Sequence, residues 1–206
     1  MSHNPNSNNA NNPTPREIID AFNQQLDESG TAPGLLVGEK APDFTLQNQD
    51  GNLISLSDKL LSGQVILSFY RGEWCSHCNR EMQQIKEIQD KLDEQNVTVL
   101  AIAPQHIEYA STMAKKNEVT FDLLSDPDLS VIDNYKLKFT MSEDVQNVYK
   151  NNFNLNLPNI TANNTWELPI PGTFVINQNG IITGRFVDTD YRKRLTGEEL
   201  LRLLKS

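Results

Sequence analysis

Apolar residues fall into two kinds of run along this chain, continuous ones and spaced ones. Val65–Tyr70 is apolar at every position except Ser68, which predicts a strand buried on both faces. Val97–Ala103 repeats the pattern. Between them, Met82, Ile85, Ile88 and Leu92 recur at three- and four-residue steps, so Ser76 to about Glu94 is predicted to be a helix. A strand, a helix and a strand thus occupy the middle of the chain.

The flanks extend this alternation. Pro15 stands where a helix can begin, Ile18, Ile19, Phe22 and Leu26 follow at helical spacing, and Gly30 stops the pattern, giving an amphipathic helix over Pro15–Glu28 that packs on the domain or on a partner. Gly34–Ala41 reads as a linker. Asp43–Leu46 and Leu53–Leu56 bracket Asn48-Gln49-Asp50-Gly51, a hairpin signal. Ser57–Leu61 is a helical turn.

Beyond Ala103 we expect a helix over about Gln105–Lys116, with His106 near its start, and a short strand at Phe121–Leu124. A second helix is expected to open at Asp126-Pro127-Asp128. Asn134–Trp166 is Asn-rich and irregular and reads as a surface insertion, apart from a helix at Ser142–Lys150 with Ser142 as its N-cap. Thr173–Asn177 and Ile181–Phe186 form a hairpin around Gln178-Asn179-Gly180, and Gly197–Lys205 is a final helix with Leu200, Leu201, Leu203 and Leu204 on its apolar face. The order implies a mixed central sheet with helices on both faces.

Length and composition narrow the class. The chain has 206 residues, enough for one α/β domain that buries about 70% of its unfolded-chain surface. Residues 1–14 are Asn-rich and read as a disordered tail, 15–34 as helix and linker, and 35–206 as the domain. With 18 basic and 27 acidic residues the net charge is −9, which opposes binding to nucleic-acid phosphates. No apolar run approaches the roughly 20 residues that span a bilayer. The N-terminus lacks the basic and apolar regions of a secretory signal, so the expected compartment is the cytoplasm.

The only two cysteines, Cys75 and Cys78, lie three residues apart where the buried strand turns into the helix. Two are too few for a disulfide scaffold. With the helix starting at Ser76, Cys75 takes its cap position and Cys78 lies one turn on. That spacing suits the roughly 4.4–6.8 Å Cα separation of a disulfide. Free backbone N–H groups and the positive end of the helix dipole favour a thiolate at Cys75, leaving Cys78 as the resolving thiol. His77, if cationic, would favour the thiolate further, and Arg71 is close enough in sequence to add positive charge. Two other uses of the pair stay open: small apolar residues on a helix, and zinc, for which only His3, His77 and His106 remain as non-carboxylate partners. Asn79 after the second cysteine excludes the haem-attachment pattern.

The residues around the pair add a resemblance. Trp74-Cys75-Ser76-His77-Cys78 resembles a thioredoxin-fold active site. Ala41-Pro42-Asp43-Phe44-Thr45-Leu46, Asp50-Gly51 and Phe69-Tyr70-Arg71-Gly72-x-Trp74-Cys75-x-x-Cys78 together resemble peroxiredoxin-like proteins of the alkyl hydroperoxide reductase/thiol-specific antioxidant group. Pro171-Gly172-Thr173-Phe174-Val175-Ile176 and Phe186-Val187-Asp188-x-Asp190-Tyr191-x-x-Arg194 continue it, over about Leu36–Leu204.

The resemblance implies an α/β thioredoxin fold with a mixed central β-sheet flanked by helices, an N-terminal β-hairpin extension and an extra N-terminal helix. It implies a peroxidatic Cys75 that becomes a sulfenic acid, a resolving Cys78, no cofactor and no metal, a hydroperoxide or disulfide substrate, and recycling by a thioredoxin-like reductant. Arg71, Trp74, His77 and Pro171 are the supporting candidates. Three positions depart from the family pattern. Gly72 and Ser68 stand where peroxiredoxins carry a Thr and a Pro, and Pro171 stands in place of an Arg that polarises the peroxide, a task then left to Arg71 or Arg185. A Pro at this place resembles the cis-proline of thioredoxins, with an ordinary trans bond as the alternative. These departures lean toward general thiol–disulfide exchange.

Overall fold

The computed structural model describes residues 12–205; the expected Asn-rich tail falls mostly outside them. The expected first helix forms over Pro15–Ser29 (α1). Thr14 and Glu17 make a capping box at its start, Pro15 occupies the first turn, and Gly30 ends it at φ 62°, satisfying end groups that the helix itself leaves free. The chain then runs through strands β1 (Thr45–Asn48) and β2 (Leu53–Ser55), helix α2 (Leu56–Leu60), and strand β3 (Gln64–Phe69). Helices α3 (Ser76–Glu87) and α4 (Gln89–Asp93), strand β4 (Val97–Ala103), helix α5 (Ile107–Asn117) and strand β5 (Asp122–Ser125) follow. The last part holds α6 (Ser130–Asn134), β6 (Lys138–Thr140), α7 (Glu143–Asn152), β7 (Glu167–Pro169), β8 (Gly172–Ile176), β9 (Ile182–Val187) and α8 (Gly197–Leu203).

Seven strands form one sheet in the order β2-β1-β5-β4-β3-β8-β9, and β6 pairs with β7 in a small separate ribbon. β3, β4 and β5 are parallel to one another, β8 pairs antiparallel with β3 and β9 with β8, and at the other side β1 pairs antiparallel with β5. β3 is therefore central, with Val65, Ile66, Leu67 and Phe69 fully buried. Alternate side chains enter different layers. Val65, Leu67 and Phe69 pack with α1, α6 and α7; Ile66 and Tyr70 pack with α3, α5 and α8. Among the described residues, no helix is long and apolar enough to cross a membrane.

Four expectations need correction. The helix expected over Ser76–Glu94 breaks at Ile88, whose backbone leaves helical geometry at φ −107°, ψ 7°, where Gly197 of α8 closes on the Ile88 side chain. The helix expected at Asp126-Pro127-Asp128 begins at Ser130 instead. Leu129 in front of it is left-handed at φ 57°, and the buried Asp126 carboxylate reaches forward to accept from the Val131 and Ile132 amides.

Asn134–Trp166 is no surface insertion. It places Tyr135, Leu137, Phe139, Met141, Val145, Val148, Tyr149 and Leu157 in the core, although Ser142 does cap its helix. Gly34–Ala41 is no free linker either: it runs alongside β9, with Gly38 donating to Ile182 and Ala41 to Gly180.

Candidate active site

The Cys pair sits where β3 ends and α3 begins. Cys75 is the N-cap residue of α3 and Cys78 lies one turn in, so the sulfurs share the end of the helix at which backbone N–H groups point outward. Both are free thiols and both are buried, at 2% and 0% exposure. Cys78 Sγ donates to Cys75 Sγ at 2.7 Å. From the other side the Arg71 guanidinium donates to Cys75 Sγ at 3.3 Å. The Cys78 hydrogen bond and the Arg71 charge hold the Cys75 thiol well below its ordinary range, against the opposing effect of burial. Burial, followed by the adjacent Cys75 sulfur, pushes Cys78 up. One proton is thereby shared unequally, with Cys75 the more acidic thiol and Cys78 the donor of the hydrogen bond between them.

Arg71 is 4% exposed and held on four sides. Nη1 donates to the Tyr149 hydroxyl at 2.8 Å, and Nη2 to Cys75. The Tyr191 ring lies 3.6 Å from Cζ, and the Trp74 ring 4.9 Å away. The turn between β3 and α3 is braced separately. Gln105 accepts from the Glu73 amide at 2.9 Å and donates to the Tyr70 hydroxyl at 2.8 Å. Asn79 donates to the carbonyls of Glu73 and Cys75 and accepts from Asn117.

Below Cys78 lies a buried ion pair. Arg194 Nε is 3.0 Å from Glu81 Oε2, with the two side chains 9% and 7% exposed. Arg194 Nη2 reaches Cys78 Sγ at 3.5 Å, and Ser68 donates to Glu81 at 3.4 Å. Burial raises the Glu81 carboxyl while Arg194 pulls it down.

The structure brings Arg71, Trp74 and His77 together around the dithiol, but His77 does not supply a positive charge. Partial burial, then the neighbouring arginines, hold its imidazole below the ordinary range, so it is neutral near pH 7 and packs edge-on against Tyr191 at 5.7 Å. Pro171 lines a small apolar cavity of about 20 Å³ with Arg71, Phe22, Phe139, Tyr149 and Tyr191. All peptide bonds of the described residues are trans, including the one before Pro171. Arg185 is directed to the Pro33 carbonyl, away from the sulfurs. His106 is the N-cap residue of α5 without a side-chain capping bond.

Gly72 has a steric cause. Its φ is +144°, and a Cβ there would meet Trp74 Nε1 at 2.5 Å. The indole occupies the space that a threonine at this position would need.

Sequence reasoning missed Tyr149, Gln105, Glu81, Tyr191 and Arg194 as parts of the site. Glu81 left a signal, since it interrupts the buried stripe Cys78-Met82-Ile85 of α3. Tyr191 and Arg194 stand in the late motif but more than a hundred residues from the cysteines.

Fold and site together define a thioredoxin-fold protein with a buried Cys-x-x-Cys dithiol. The family model "AhpC/TSA family" matches residues 37–185, and the chain belongs to that family. It is 30% identical over 147 residues to a Coxiella burnetii protein named for the peroxiredoxin bcp, covering 71% of this chain and 85% of that one. It is also 30% identical over 166 residues to the thiol-disulfide oxidoreductase ResA of Geobacillus kaustophilus, covering 77% of this chain and 76% of that one. Among solved structures, peroxidoxin BcpB from Mycobacterium tuberculosis superposes with a TM-score of 0.64 at 18% identity, over 82% of this chain and 94% of that chain. That match bears on the fold alone. The chain is thus a thiol-based redox protein whose relatives divide between peroxiredoxins and thiol–disulfide oxidoreductases.

Proposed function

We propose that the protein reduces hydroperoxides through Cys75. The Cys75 thiolate attacks the distal peroxide oxygen, the O–O bond breaks, and the alcohol leaves with a proton while Cys75 becomes a sulfenic acid. Cys78 then attacks the Cys75 sulfur and the S–O bond breaks. The hydroxide takes the proton lost by Cys78 and leaves as water, and a disulfide remains. A dithiol reductant of thioredoxin type returns the pair to its reduced state in the cytosol.

The observation that carries this reading is the Arg71 guanidinium 3.3 Å from Cys75 Sγ, a fixed cation at the atom that attacks and at the place where negative oxygen develops. Trp74 and Tyr149 hold that cation in place, and Pro171 walls the same cavity.

A second reading is general thiol–disulfide exchange, in which Cys75 attacks a substrate disulfide and Cys78 releases the mixed disulfide. Gly72 and its close contact with the Trp74 indole favour it, because no side-chain hydroxyl can bind a peroxide from that position. Peroxide consumption with a thioredoxin system, compared among the wild type, Cys75→Ser and Cys78→Ser, separates the two. Saturable turnover lost in Cys75→Ser is the expected result. Fast dithiol exchange without Cys75-dependent peroxide turnover overturns the peroxidase in favour of the exchange reading.

A further inference from the structure

Each sulfur of the pair has a guanidinium of its own. Arg71 serves Cys75 at 3.3 Å, and Arg194, from the segment after β9, lies 3.5 Å from Cys78 Sγ. Arg194 is held in place. Its Nε faces Glu81 at 3.0 Å, with both side chains more than nine-tenths buried. Its segment is pinned just ahead of it, by Arg192 to Asp190 and to Asp20 of α1, both at 2.7 Å, and by Lys193 to Asp188 at 2.9 Å. Three residues before Arg194, Tyr191 covers Arg71. One short segment thus places a cation beside the buried sulfur and closes the site above it.

We propose that Arg194 is a catalytic residue of the resolving step: it stabilises the Cys78 thiolate that attacks the oxidised Cys75 sulfur. The proposal rests on the dithiol reading above and holds for either oxidant.

The chemistry turns on what changes when Cys75 is oxidised. In the reduced pair Cys78 keeps its proton first because it is buried and then because the Cys75 anion beside it accepts its hydrogen bond. Once Cys75 is a sulfenic acid or a mixed disulfide, that negative charge is gone. Cys78 must then lose its proton in a fully buried place, which burial alone opposes. The groups facing it are Cys75, Tyr70, Arg71 and Arg194. His77 next to it is neutral and Tyr70 is protonated, its titration driven upward mainly by burial. Arg71 is committed to Cys75 and Tyr149, so Arg194 is the cation in contact with Cys78. Glu81 keeps Arg194 aimed and balances its charge, which makes Glu81 a positioning residue. In the step itself Cys78 forms the S–S bond, the Cys75 S–O bond breaks, and the departing hydroxide leaves as water with the proton from Cys78; with a mixed disulfide, the partner's thiolate leaves instead.

The test isolates Cys78 in a Cys75→Ser background and titrates its thiolate by ultraviolet absorbance. Arg194→Gln is expected to raise the midpoint by about one unit or more, and Arg194→Lys to restore part of the difference. Because Arg194→Gln leaves Glu81 buried without its countercharge, the double variant Arg194→Gln/Glu81→Gln serves as a folded control, checked by circular dichroism, and is expected to show the same rise. In the protein with both cysteines, dimedone added after a pulse of hydrogen peroxide captures the Cys75 sulfenic acid before Cys78 closes the disulfide. Capture should increase severalfold in Arg194→Gln, because the loss of thiolate that one unit implies is only partly offset by its greater nucleophilicity. An unchanged Cys78 midpoint in the folded double variant overturns the role of Arg194. If the wild type forms no sulfenic acid at all, the peroxidase reading fails separately, and the titration still decides the part played by Arg194.

Discussion

The Arg71 guanidinium sits over the Tyr191 ring, 3.6 Å from Cζ to ring centroid. This contact covers the cation beside Cys75, a residue that is itself only 2% exposed. Stacking of this kind contributes up to about 2 kcal/mol when desolvated, a cost that a substrate must meet when it displaces the ring.

Tyr191→Ala should therefore open the site. Cys75 should react several-fold faster with a bulky maleimide than in the wild type, while Tyr191→Phe, which keeps the ring, should react at the wild-type rate. Equal rates in all three proteins would mean that access to Cys75 runs by another path.

Arg71 helps to set the pH profile of Cys75. The thiol is held well below its ordinary range, first by the Cys78 hydrogen bond and then by Arg71. A depressed acid stabilises the fold above its unfolded pKa of about 8.5, and the contribution is lost as pH falls through the folded value. Alkylation of Cys75 by iodoacetamide should accordingly stay fast well below pH 7. In Arg71→Met the inflection should move up by about one unit or more. The same shift stabilises the disulfide by about 1.4 kcal/mol per unit, or about 30 mV toward more reducing potential. An unmoved inflection in the folded variant would assign the thiolate to the helix end and Cys78 alone.

The part of the site legible in the sequence is the part that is local. Cys75 as N-cap and Cys78 one turn on follow from the end of an apolar strand and the start of a three-four periodicity, and both stand where expected. Tyr149 and Arg194 were hidden because their positions depend on long-range packing. Tyr149 belongs to a segment whose Asn content suggested a surface loop, yet Tyr135, Leu137, Phe139 and Met141 alternate as a buried strand should, and all four are buried. The charge of His77 was not legible either, since it depends on burial and on Arg194, which the fold brings in from the far end of the chain.

Asp126 sets a second pH dependence, this time of stability. Burial, opposed by the amides of Ile132 and Val131, raises its carboxyl from 3.8 to about 6. A raised folded value favours the protonated form, so the contribution is fully present below the unfolded pKa of about 4 and lost as pH rises through about 6. The two-unit difference amounts to about 3 kcal/mol. Urea midpoints measured across this window should fall for the wild type relative to Asp126→Asn. Parallel curves for the two proteins would show that the carboxylate is fully compensated in its ionised state.

Gly72 allows the two functional readings to be set against each other in one protein. The peroxiredoxin pattern has a threonine at this place, so Gly72→Thr is the obvious attempt to strengthen peroxide reduction. Here the backbone stands at φ +144° and a Cβ would meet the Trp74 indole at 2.5 Å. A β-branched residue at such a φ is strained by about 1–3 kcal/mol before any clash is counted. The indole cannot yield freely, because it packs against both Tyr149 and Arg71. Gly72→Thr should therefore lower the melting temperature by several degrees and reduce peroxide turnover through displacement of Arg71. Pairing it with Trp74→Ala, which removes the obstruction, should recover part of the stability. A single Gly72→Thr variant that melts like the wild type and turns over peroxide faster would mean that Trp74 and Arg71 can rearrange around a hydroxyl. The lean toward disulfide exchange that Gly72 supports would then have no structural basis.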